Sequence, residues 1–187
     1  EGLTVFFRAK FSGYMTTVSN VIDKRAFSTS DGGENRSFGI LVYDNKFNTT
    51  FNANPGTGEK YHAVASSTVP NNVWREYALI INKGTDGYLD SYLYVSKKET
   101  TAEGDDFVLI ASNTSSKATD LSDSHAPLVI GNDMNFADLG LERTFDDVRI
   151  YDSALLTHQL SKILPSQEEL EINSRSKSAK LRIFEKA

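Results

Sequence analysis

The chain has 187 residues, 20 basic and 25 acidic side chains, a formal net charge of −5 and no cysteine. That length buries one sizeable core, and the missing cysteines exclude disulfides, thiol catalysis and Cys-ligated zinc. The acidic balance argues against nucleic acid as a partner, since phosphate binding needs concentrated positive surface, and no apolar run approaches membrane-spanning length.

Period-two alternation begins at once. Leu3, Val5, Phe7, Ala9 and Phe11 share one face and Thr4, Phe6, Arg8 and Lys10 the other, as in a strand with one core-facing side. Phe38 to Tyr43 and Phe47 to Phe51 flank Asp44-Asn45-Lys46. Asp and Asn tolerate positive φ, so the spacing predicts a hairpin. Val73 to Asn82 is a strand entered from the turn at Pro70, Asn71 and Asn72, with Trp74 read as core. Lys83 to Gly87 turns it into a partner over Tyr88 to Val95. Phe107 to Ala111 and Leu128 to Ile130 are further strands, on either side of a polar loop from Ser112 to Ser124.

Near the end, Val148 and Ile150 alternate with Asp147, Arg149 and Tyr151, which predicts a half-buried strand. Ser153 to Leu156 turn the chain, and Thr157 is placed to cap a short helix that buries Leu160, Ile163 and Leu164 before Pro165 ends it. Beyond it the chain is acidic at Glu168, Glu169 and Glu171, then basic at Lys177, Lys180 and Arg182. This segment reads either as a linker or, over Ala179 to Phe184, as a strand added to a sheet edge. Many short strands with one terminal helix predict an all-β fold. Its form is an antiparallel two-sheet sandwich over residues 1–165 with one short C-terminal helix, followed by the tail 166–187.

The strand and helix from Arg143 to Leu160 resemble the closing element of laminin-G-like jelly rolls, in the concanavalin A-like lectin and glucanase superfamily. Leu3 to Phe11 resembles the early strand of those modules, Trp74 to Asn82 their Trp-containing central strand, and Tyr92 to Ser96 the next one. The Asn-Gly turn common after that strand is replaced by Ser96-Lys97-Lys98. Leu128 to Asp133 resembles the strand before the long loop that precedes the closing element, so the likeness spans Gly2 to Leu164. The resemblance implies a jelly roll that is mostly used for glycan binding or adhesion, with some glycosidases and lyases. The family usually has a strand before the one at Leu3. The chain opens at Glu1, as a mature or excised segment would.

Catalysis finds little support. His62, His125 and His158 are scattered, with no zinc-binding His pair and no nucleophile elbow. A jelly-roll glycosidase needs two carboxylates across the scissile bond, and the Glu-x-Asp-x-x-Glu run of related glucanases is missing. Asp146 is in phase with Val148 and Ile150, and an anion at the end of a core-facing row must be solvated, paired or bound to a cation. The resemblance implies a structural calcium there, with carbonyls from an early loop; pairing with Arg143 or capping of backbone amides is the alternative. Asp133, Asn135 and Asp138 offer oxygen ligands at short spacing without the full calcium-loop pattern.

Sugar binding requires an aromatic face and a few amide or carboxylate partners. Tyr43, Tyr61, His62, Tyr88, Tyr92, Asn132 and Asp133 lie on strands or loops able to supply them. The expected function is therefore a non-catalytic module of a secreted or cell-surface protein, stabilised by calcium, that binds carbohydrate or an extracellular protein. A polysaccharide-active glycosidase or lyase and an adhesive spacer are the alternatives.

Overall fold

The structure, a computed structural model, describes residues 2–13, 18–27, 34–52, 60–97, 107–115, 118–121, 127–131, 142–160 and 180–184. In chain order the strands are β1 (Gly2–Ser12), β2 (Ser19–Phe27), β3 (Glu34–Tyr43), β4 (Lys46–Asn52), β5 (Lys60–Thr68), β6 (Trp74–Lys83), β7 (Leu89–Ser96), β8 (Phe107–Thr114), β9 (Leu128–Ile130) and β10 (Glu142–Tyr151). Helix α1 (Thr157–Leu160) and strand β11 (Lys180–Phe184) follow. One sheet has the order β11-β10-β1-β6-β7-β8, the other β5-β4-β3-β2-β9. Every strand pair is antiparallel except β10–β11, where Val148 pairs with Leu181 and Ile150 with Ile183 in parallel register.

Strand parity decides what enters the space between the sheets. Val5, Phe7, Ala9 and Phe11 of β1 meet Tyr77, Leu79 and Ile81 of β6 on one side and Phe38, Ile40, Val42, Phe47 and Phe51 of β3 and β4 on the other. Tyr77 is the hub, with ring centres 5.0 Å from Phe7, 5.8 Å from Phe11 and 4.9 Å from Phe47. Val148 is buried there, while Leu3, Leu128, Ile130 and Ile150 are partly buried against the same core. Trp74 departs from expectation. It stands an odd number of residues from Tyr77, so it points to the opposite, outer face, half-buried under Arg8 and Lys10.

Asp44 and Asn45 have φ of 48° and 54°, the two-residue hairpin turn expected between β3 and β4. Asn113 Nδ2 of β8 donates to the His62 carbonyl of β5 at 3.3 Å, joining the sheets along one margin. Across the other margin Arg143 donates to the Gly131 carbonyl and to Ser19 Oγ. Gly131 sits there at φ 85°, a conformation side chains disfavour.

A second apolar cluster lies on the outer face of the six-stranded sheet, where Leu160 is buried on Phe6, Ala78 and Ile80. The helix thus covers a sheet face rather than the sandwich edge. Thr4 pins its approach, donating from Oγ1 to the Ser153 carbonyl at 2.8 Å and accepting from Leu155 N–H at 2.9 Å. A Cβ on Gly2 would come within 2.7 Å of Ala154, so the close packing of this turn requires glycine. Thr157 does not cap the helix. The Leu156 carbonyl accepts from Gln159 and Leu160, while Gln159 Oε1 accepts from Leu156 N–H at 2.7 Å, one half of a capping box. Ile163 and Leu164 lie outside the described residues.

Candidate functional site

The outer face of the five-stranded sheet is built by the residues out of phase with the core. Register places Asn20, Leu41, Asn48 and Val64 in one row across β2, β3, β4 and β5, and Asp23, Gly39, Thr50 and His62 in the next. Tyr43 and Lys46 pair one step nearer the hairpin. Asn20, Asp23, Ser37 and Thr50 are buried although they face away from the core, a polar layer beneath this face. Tyr43 and Val64 are instead 50% and 53% exposed, and Val18, at the mouth of β2, is 52% exposed. His62 is exposed as well, and Asn48, half-buried, donates to the Lys46 carbonyl at 3.1 Å.

The structure therefore brings Tyr43 and His62 to one face and separates the other candidates. Tyr61 points inward, stacked on Phe51 at 5.3 Å and packed against the core. Tyr88 lies on the β6–β7 turn, where its N–H donates to Asp86 Oδ1 at 3.0 Å. Tyr92 is on the outer face of the other sheet, donating to Asp90 Oδ2 at 3.3 Å; burial and the Asp90 carboxylate both push its phenol up. Asn132, Asp133, Asn135 and Asp138 lie outside the described residues. The polar layer of Asn20, Asp23, Ser37 and Thr50 was missed. Its signal was the short polar side chains alternating with Phe38, Ile40 and Phe51.

Asp146 also departs from expectation. A β-bulge sets Arg8 opposite Asp147 and Ala9 opposite Phe145, so Asp146 leaves the core-facing row and Phe145 takes its place, 6.1 Å from Phe7. Arg8 then donates to Asp146 Oδ2, and Arg8 Nε also stands 3.4 Å from Glu76 Oε1. Arg143, the partner suggested by sequence, is engaged across the sheets instead. The guanidinium supplies the countercharge, and among the described residues no group of three or more His, Asp or Glu side chains is arranged to hold a metal ion.

A laminin G family model, described as concanavalin A-like lectin/glucanases superfamily, matches residues 2–161. The chain belongs to that superfamily. No curated protein matches it. Among solved structures this superfamily member is similar to the CBM40 module of Ruminococcus gnavus IT-sialidase, bound to α2,3 sialyllactose. The TM-score is 0.56 at 13% identity, over 87% of this chain and 82% of that one. It is also similar to the binding domain of Paraclostridial Mosquitocidal Protein 1, at TM-score 0.55 and 14% identity, covering 87% of this chain but only 36% of that one. A botulinum neurotoxin type C structure, described as dependent on two ganglioside molecules for cell entry, matches at TM-score 0.57 and 13% identity, over 87% and 35%. The chain thus spans about a third of each toxin domain and most of the sialidase module. At these identities the likeness establishes the β-sandwich fold. Among the described residues no helix is long and apolar enough to cross a membrane.

Proposed function

We propose that this chain is a non-catalytic binding module of an exported protein, with carbohydrate or an extracellular protein as its ligand. The observation that carries the reading is the outer face of the five-stranded sheet, where Tyr43 and Val64 stand half exposed on either side of Asn48, with His62 further along the same face. Large apolar side chains left in water mark contact surfaces, and an aromatic ring near an amide group is what a sugar ring needs. Asp23 is the single carboxylate on this face among the described side chains of β2 to β5, and it is buried. A glycosidase would require a facing pair. The sugar-bound sialidase module and the ganglioside-dependent toxin share the fold, which supports glycan over protein.

A glycan array probed with the purified chain, with and without calcium, tests the reading. Retention of a restricted set of glycans that Tyr43→Ala weakens at least tenfold, roughly 1.4 kcal/mol, supports it. Cleavage of a retained polysaccharide would replace it with an enzyme.

A further inference from the structure

The outer face of the six-stranded sheet divides in two. Phe6, Ala78 and Ile80 lie under Leu160. Further along the same strands, register places Thr144, Lys10 and Trp74 in one row and Asp147, Arg8 and Glu76 in the next, none of them part of that apolar cluster. Trp74, the one tryptophan of the chain, is half-buried, with Arg8 Cζ 5.0 Å and Lys10 Nζ 5.8 Å from its ring centre. The ring quadrupole attracts both cations. Arg8 is also held by Glu76 and Asp146.

Arg8, Lys10 and Arg149 stand against Glu76, Asp146 and Asp147, the last of which pairs with Arg149 at 2.6 Å, so these charges cancel and the patch has no reason to select an ion. A half-open indole ringed by hydrogen-bond donors and acceptors instead suits a neutral pyranose. Its C–H face would lie against the part of the indole that Arg8 and Lys10 leave open, with its hydroxyls accepting from Lys10 Nζ and donating to Asp146 Oδ1, the carboxylate oxygen that Arg8 does not hold. Thr144, exposed two strands away, extends the polar rim to about 10 Å from Trp74, the reach of a disaccharide. We propose that Trp74, Lys10 and Asp146 form a second carbohydrate subsite, for neutral sugars, on the side of the sandwich opposite Tyr43. This site stands independently of the Tyr43 face.

Because Trp74 is the single tryptophan, its fluorescence reads this site alone. Emission of the intact chain is titrated with maltoheptaose, cellohexaose, xylohexaose and mannohexaose. At least one of them shifts or quenches it saturably, Lys10→Ala raises that Kd at least tenfold, and Tyr43→Ala leaves it within twofold. Lys10→Met, which keeps the methylene stem on the indole, serves as the second variant if the alanine change lowers the melting temperature. Emission that stays flat with all four sugars, or responds in both lysine variants with the wild-type Kd, overturns the subsite. Array binding lost in Tyr43→Ala while Trp74 stays silent removes this subsite and leaves the binding-module reading in place.

Discussion

Tyr77 carries a hydroxyl that is buried in the aromatic centre of the sandwich and has no hydrogen-bond partner among the described residues. Such a group costs desolvation without return, so Tyr77→Phe is expected to leave stability unchanged or raise it by up to about 1 kcal/mol in urea unfolding. Burial pushes this phenol well up, with Arg75 opposing. A folded-state pKa above the unfolded one means the contribution is complete below about pH 10 and lost as pH rises further. Wild-type stability should therefore fall more steeply in alkali than that of Tyr77→Phe, and parallel curves would contradict this. At Asp146 the ion pair with Arg8 makes a different expectation: Asp146→Asn costs about 1 kcal/mol, equally in calcium and in EDTA. A melting temperature that EDTA lowers in the wild type alone would instead support calcium at Asp146. Both Asp146 and Trp74 were misplaced from sequence. A bulge shifts the phase of Asp146, and strand parity sends Trp74 outward despite its aromatic ring.

Among the elements, α1 depends on one side chain and one hydroxyl. Leu160 is fully buried on Phe6, Ala78 and Ile80, so Leu160→Ala should cost about 2–5 kcal/mol. Thr4→Val keeps the shape but leaves the Ser153 carbonyl and the Leu155 N–H unpaired, a loss of roughly 1–3 kcal/mol. Thermal unfolding reads both, and a loss well under 1 kcal/mol in either would show that the helix is not anchored as described. Strands β1, β7 and the end of β10 were legible from alternation, and β6 and β9 from short continuous apolar runs bounded by polar residues. Strand β2 was not, since a bulge after Asn20 turns both Val21 and Ile22 inward and breaks the period. Strand β5 was missed because small Ala63 and Ala65 face the core while Val64 faces solvent, inverting the usual contrast.

For the whole molecule, β11 lies on the outer edge of β10, whose backbone groups would otherwise be open to another chain. Deleting Ser178 to Ala187 is expected to lower the melting temperature and promote self-association in sedimentation or light scattering. A truncated chain that stays monomeric with the same melting temperature would show that β11 contributes nothing. The alternating pattern of Leu3 to Phe11, the Asp44-Asn45 turn and the closing strand determined by themselves that the chain builds a two-sheet sandwich, because period and turn chemistry are local properties. Tertiary structure alone decided that Tyr43 and His62 share a face, that Tyr61 is core, and that Arg8 rather than Arg143 meets Asp146. Those outcomes depend on register and bulges between strands far apart in sequence, and one residue of slip sends each side chain to the other face.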